Sequence, residues 1–132
     1  MDAALTALMN AKTIAVVGLD ARTSRPAYQI ASYLQAAGYR IIPVTLGQPG
    51  DVVLGERAYE RLTDVPGHVD LVDVFVRSEN TGPIIDEAIA VGAGAVWLQA
   101  GITNPDGLER AKAAGLAVAQ DRCTMVEHRS RR

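Results

Sequence analysis

The stretch Lys12-Thr13-Ile14-Ala15-Val16-Val17-Gly18, with the loop Leu19-Asp20-Ala21-Arg22-Thr23-Ser24-Arg25 behind it, decides the fold. A short β-branched run stops at a glycine, a polar loop follows, and Pro26 opens an amphipathic segment that reads as a helix. Strand, loop and helix N-terminus in that order belong to a parallel α/β sheet. There the positive end of the helix dipole and the free N–H groups of its first turn converge on one point, where a phosphate or pyrophosphate can sit. A dinucleotide fingerprint has three glycines and this loop has Gly18 alone, so a plain tight turn explains it equally well. Both readings stay open at this point.

Outward from that stretch, the chain alternates strands with helices. Residues 2–10 put Leu5, Leu8 and Met9 at helical spacing, which predicts a short helix capped by Asp2 and packed on the sheet edge. Residues 26–37 place Ile30, Tyr33, Leu34 and Ala37 on one helical face, and Gly38 ends that helix before a strand at 39–44. Residues 45–66 are irregular. They hold a turn signal at Gly47-Gln48-Pro49-Gly50, a short run at 52–55 and room for one helical turn at 62–66, with no full crossover helix. The third strand, 69–76, is apolar apart from Asp70 and Asp73 and belongs near the sheet centre. A helix over 78–90 follows, regular from Pro83, with Ile85, Ala88 and Ile89 toward the sheet and Gly92 at its end. The fourth strand is 95–98. Asn104-Pro105 then caps and opens a helix through residue 114, closed by Gly115, and 116–119 is the last strand. The polar tail, 121–132, has room for one short helical turn.

This order argues for βαβ units with right-handed crossovers. The expected fold is a doubly wound, Rossmann-like, five-stranded parallel sheet in a three-layer α/β/α sandwich. Ligands of such sheets bind outside the carboxyl ends of the strands, which here are 18–25, 43–46, 75–78 and 99–102.

Composition narrows the function classes. A chain of 132 residues, 48% hydrophobic and 21% charged, suits one folded domain over 1–132. A formal charge of −2 makes no case for nucleic acid, and no apolar run approaches the ~20 residues of a membrane span. The start of the chain lacks the positive region of a signal peptide. Cys123 is the single cysteine, which excludes an internal disulfide and any multi-cysteine metal site and makes a reducing, cytoplasmic setting the default. His68 and His128 lie far apart, so no metal is expected.

The chemistry available at the carboxyl edge points to binding. NAD binding calls for an acidic residue at the end of the second strand, yet Ile41-Ile42-Pro43-Val44-Thr45-Leu46 brings no carboxylate before Asp51. Pro43 offers a rigid apolar wall for a flat base, or merely ends strand pairing. No catalytic set assembles, because Ser24 and Ser78 have no histidine from a neighbouring strand end and His68 precedes the third strand at the opposite edge. Asp70 and Asp73 point to opposite faces and form no acid/base pair, so they are expected to accept hydrogen bonds from loop N–H groups or arginines. Arg77 with Ser78 suits a phosphate or is a solvated charge. Cys123, after Asp121-Arg122, is either a thiol favoured by a nearby cation or a small packing residue, and Trp97 is core.

Taken in order, several pieces resemble one family. They are Ile14-Ala15-Val16-Val17-Gly18-Leu19, Arg25-Pro26, Tyr33-Leu34, Gly38-Tyr39-Arg40-Ile41-Ile42-Pro43-Val44 and Val53-Leu54-Gly55-Glu56. Val69-Asp70-Leu71-Val72-Asp73-Val74-Phe75, Arg77-Ser78, Ala95-Val96-Trp97-Leu98-Gln99 with Gly101, and Asp121-Arg122-Cys123 complete the set. Over 12–128 the chain resembles the small stand-alone CoA-binding domain proteins, whose fold is similar to the nucleotide-binding domain of the succinyl-CoA synthetase alpha subunit. The resemblance implies that coenzyme A or an acyl-CoA is the small-molecule partner. It implies phosphates near Gly18, Leu19, Asp20, Ser24, Arg25 and Pro26, adenosine near Pro43, Val44 and Thr45, and further contacts from Phe75, Val76, Arg77, Gln99, Ala100 and Gly101.

The synthetase's phosphorylated histidine lies in a second domain not represented here, so the expectation is non-catalytic binding by a carrier, sensor or regulatory subunit, alone, as a homodimer or with a protein partner. The alternatives are an NAD(P)- or other nucleotide-dependent enzyme and an interaction protein that has lost its ligand. Two residues depart from the family pattern. Asp20 stands where a serine is usual, setting a carboxylate beside a phosphate unless Arg22 or Arg25 offsets it, and Thr45-Leu46 replaces the usual Asn-Pro. A mixed disulfide between Cys123 and the CoA thiol is a further expectation.

Overall fold

Period-two alternation of apolar side chains sorts the interior into two clusters, one on each face of a sheet. A computed structural model of the chain describes residues 1–46 and 50–131, so the turn expected at 47–50 lies outside the described residues apart from Gly50. In chain order the strands are β1 (Thr13–Val17), β2 (Arg40–Val44), β3 (Val52–Val53), β4 (Glu56–Arg57), β5 (Leu71–Val74), β6 (Ala95–Leu98) and β7 (Ala117–Ala119). The helices are α1 (Ala3–Asn10), α2 (Pro26–Ala36), α3 (Thr81–Ala90), α4 (Pro105–Ala113) and α5 (Thr124–Arg129), with 3-10 turns at Leu62–Asp64 and Ser78–Asn80.

Five strands form one parallel sheet in the order β2-β1-β5-β6-β7, and β3 and β4 form a separate antiparallel pair. Ile14, Val16, Leu71, Ala95 and Trp97 meet α1 and α2 on one face, while Ala15, Val17, Val72, Val74, Val96 and Leu98 meet α3 and α4 on the other. The result is a three-layer α/β/α, Rossmann-like fold. Each buried Ile, Leu or Val contributes roughly 1.5–3 kcal/mol, which is why strands covered on both faces read as near-continuous apolar runs.

Caps set the helix starts where the sequence marks them. The Asp2 carboxylate accepts from the Leu5 N–H at 2.8 Å, and α1 packs against the edge strand β7. Asn104 Oδ1 accepts from Gly107 N–H at 2.9 Å, with Pro105 opening α4.

Several local expectations are corrected. The buried stripe of α2 is Ala27, Ala31 and Leu34, spaced i, i+4 and i+7; Ile30 and Tyr33 lie on its flank and Ala37 is exposed. Regular helix begins at Thr81 and not at Pro83, because the missing N–H of a proline costs nothing anywhere in the first turn. Residues 52–57 form a hairpin whose two-residue tip, Leu54 and Gly55, has φ of +51° and +81°. That hairpin and the turn at Leu62–Asp64 fill the crossover from β2 to β5 in place of a helix. Asp70 accepts from the Lys12 and Thr13 N–H groups at 3.0 and 2.9 Å, as expected, whereas the Asp73 carboxyl is bonded by the Gln99 and Thr124 side chains and, among the described residues, by no loop N–H or arginine.

Candidate ligand site at the carboxyl edge of the sheet

Strand order reverses between β1 and β5, since β1 connects to β2 on one side and the chain then returns to β5 on the other. The crevice outside their carboxyl ends is where such sheets hold ligands. Gly18 sits at that point with φ +96°, and a Cβ there would lie 2.8 Å from the Phe75 carbonyl oxygen. Its N–H continues the β1–β2 ladder by donating to the Val44 carbonyl at 2.9 Å. Glycine is therefore required twice, for the left-handed backbone and for the close approach of two loops.

The loop from Gly18 to α2 is tied down from both ends. Leu19 is fully buried. Asp20 Oδ1 accepts from the Arg22 N–H at 3.0 Å, and its carboxylate takes two charge-assisted bonds from the Arg22 guanidinium, Nε at 3.0 Å and Nη2 at 2.6 Å. Those guanidinium bonds hold the Asp20 carboxyl below its ordinary pKa. The carboxylate that departs from the family pattern is thus neutralised by its neighbour. Arg25 makes no ion pair among the described residues and precedes a helix that no side chain caps.

A cavity of about 470 Å³ opens at this place, a size suited to part of a cofactor. Gly18, Arg22 and Arg25 line it from the first loop, and Pro26, Ala27 and Ile30 from α2. Phe75 contributes from the end of β5 and Cys123 from the tail. Gln99, Ala100 and Ile102 come from the loop after β6.

The far wall is fixed by a polar cluster under the cavity. Gln99 Nε2 donates to Asp73 Oδ1 at 2.6 Å and to Thr124 Oγ1 at 2.8 Å, and the Thr124 hydroxyl donates to Asp73 Oδ2 at 3.0 Å. Asp73 is fully buried, and burial raises its pKa from 3.8 to about 7 against the opposing effect of these two bonds. The tail is bound to the same wall. Gly101 N–H donates to the Asp121 carboxylate at 2.7 Å, and Trp97 Nε1 donates to the Arg122 carbonyl at 2.8 Å. The Arg122 guanidinium lies 4.8 Å from the Trp97 ring centroid and pairs with Asp2 and Glu127 at 2.9 and 2.8 Å. Its charge is committed there, and Arg122 does not line the cavity with Cys123, whereas Arg22 and Arg25 do.

The cavity brings together Gly18, Arg25, Pro26, Phe75, Gln99 and Ala100 of the expected set. The others are placed elsewhere. Leu19, Pro43 and Val44 are buried, Asp20 is paired with Arg22, and Ser24, Thr45, Val76, Arg77 and Gly101 lie off the lining. Pro43 does not end strand pairing, for it stays in register with Val16, and its carbonyl accepts from the Tyr59 N–H at 3.0 Å. Ser78 Oγ accepts from the Thr103 N–H at 3.0 Å. Ala27 and Ile30 were missed because the helical pattern assigns Ile30 to the sheet face. The histidines lie away from the cavity, His68 3.3 Å from Asp70 and His128 2.9 Å from the Tyr33 hydroxyl. Among the described residues no three His, Cys, Asp or Glu side chains form a metal cluster, and no helix is long and apolar enough to cross a membrane.

Comparison with known proteins finds similarity along most of the chain. The family model described as CoA binding domain matches residues 12–129. An uncharacterized protein of Bacillus subtilis, YneT, is 36% identical over 121 residues, covering 92% of this chain and 88% of its own. A Thermus thermophilus structure, cell-free ID.343, superposes with TM-score 0.90 at 41% identity, over 95% of this chain and 93% of that one. A dinucleotide-forming acetyl-coenzyme A synthetase from Ca. Korarchaeum cryptofilum superposes with TM-score 0.75 at 25% identity, over 89% of this chain and 28% of its own.

Proposed function

Because the chain belongs to the CoA-binding domain family, we propose that it binds coenzyme A or a CoA thioester in the carboxyl-edge cavity without turning it over, as a carrier, sensor or regulatory subunit. The observation that carries this reading is the division of charge at the first loop. Arg22 neutralises Asp20, and Arg25 stands beside Gly18 and the uncapped first turn of α2 without an ion-pair partner among the described residues. A phosphate of CoA there gains a guanidinium and helix N–H donors together. Phe75, Ile30 and Ile102 give the cavity apolar wall, and Gln99 offers the pantetheine arm a hydrogen-bond partner. In this reading Thr45, half-buried after the end of β2, flanks the adenosine, while Pro43 and Val44 are buried and hold that strand end in place through the Gly18–Val44 hydrogen bond.

Calorimetric titration with CoA, acetyl-CoA, NAD, NADP and ATP tests the reading. CoA or acetyl-CoA binds, and Arg25→Ala weakens binding about tenfold at low salt, the scale of one charge-assisted phosphate contact. Preference for NAD or NADP, or no binding by any of the five, refutes it.

A further inference from the structure

We propose that Cys123 is a site of thiol–disulfide exchange with CoA disulfide, and that Gln99 docks the incoming pantetheine arm beside it. The inference rests on the CoA reading and adds a covalent step to it.

Two independent features meet in the cavity. Cys123 is partly exposed and lines it, held there by the Trp97 bond to the Arg122 carbonyl on one side and by the buried Thr124 on the other. Gln99 is only 4% exposed and also lines it. Its amide nitrogen is committed inward to Asp73 and Thr124, so the side chain cannot turn without breaking both bonds. Among the described residues no buried side-chain polar atom lacks a partner and Gln99 Oε1 makes no hydrogen bond, so this oxygen is the side-chain atom that Gln99 presents to the cavity. An accessible acceptor held at the cavity wall by the bonds of its own amide nitrogen is available to a ligand N–H. In CoA the amide N–H nearest the sulfur is separated from it by a single ethylene link. An acceptor and a cysteine lining one cavity match that end of the molecule.

The step balances without an added oxidant. The Cys123 thiolate attacks one sulfur of CoA disulfide, a bond forms between Sγ and that sulfur, and the original S–S bond breaks as the other CoA leaves as a thiolate. The proton lost by Cys123 goes to solvent, and the oxidation level of the incoming disulfide passes into the mixed disulfide.

The reduced protein is mixed with CoA disulfide or glutathione disulfide and followed by intact mass and peptide mapping, with desulfo-CoA titrated separately by calorimetry. The expected result is one CoA adduct on Cys123, absent in Cys123→Ser, forming about tenfold or more faster than the glutathione adduct because docking raises the effective concentration of the disulfide. Saturating desulfo-CoA abolishes that advantage. Binding of desulfo-CoA with no adduct, or with equal rates for the two disulfides, overturns the exchange site and leaves the CoA reading standing. Failure of desulfo-CoA to bind removes both.

Discussion

Asp73→Asn isolates the one fully buried carboxyl of the site. In the folded protein burial raises its pKa to about 7, and among the described residues the groups bonded to it are the neutral Gln99 and Thr124 side chains. In the unfolded chain the group titrates near 3.9. Between these values the folded state holds a proton that the unfolded state has released, so the contribution of Asp73 to stability falls as pH rises through this window and levels off above about 7. A separation of about 3 pKa units corresponds to a destabilisation on the order of 4 kcal/mol at most in the alkaline limit. Asparagine copies the protonated acid, with Oδ1 accepting from Gln99 and Nδ2 donating to Thr124. Urea unfolding of both proteins from pH 5 to pH 8 gives the test. The variant becomes the more stable of the two, and its advantage grows by roughly 2–3 kcal/mol across that range. An advantage that stays constant or shrinks as pH rises refutes the reasoning, since Asp73 would then be ionised throughout.

Further outcomes follow from the same geometry. Gly18→Ala forces a Cβ against the Phe75 carbonyl in a left-handed conformation and destabilises by about 2–4 kcal/mol, seen as a lower urea midpoint. Asp20→Ser frees the Arg22 guanidinium and removes a carboxylate from the phosphate region, so CoA affinity rises about three- to tenfold in calorimetry at low salt; unchanged affinity places the phosphates elsewhere. Trp97→Phe removes the donor to the Arg122 carbonyl and lowers stability by about 1–3 kcal/mol, and it speeds alkylation of Cys123 by iodoacetamide under native conditions.

Much of the fold was legible because its signals are local. The run from Thr13 to Gly18 stops where β1 stops, Asp2 and Asn104-Pro105 mark helix starts through their own short-range bonds, and Gly38, Gly92 and Gly115 all take positive φ at helix ends. The hairpin at 52–57 was not legible, since two-residue strands show no alternation and Leu54 holds a left-handed position that usually signals glycine or asparagine. In α2 a small-residue stripe of Ala27 and Ala31 packs on the sheet, so the larger Ile30 drew the wrong assignment. The first loop announced Gly18, Arg25 and Pro26 as lining of the cavity, and the strand ends announced Phe75, Gln99 and Ala100. The cluster of Asp73, Gln99 and Thr124 joins residues 25 to 51 positions apart, which no local pattern encodes, and Asp73 read only as an interruption of its strand.

The most direct test of the account is to map the amide shifts of labelled protein on adding CoA. The account predicts that perturbed amides cluster at Gly18, Arg22, Arg25, Ala27, Phe75, Gln99, Ala100, Ile102 and Cys123, around one cavity. Shifts confined to the groove between α4 and β7, lined by Leu108, Lys112 and Val118, or no shifts at all, would contradict it.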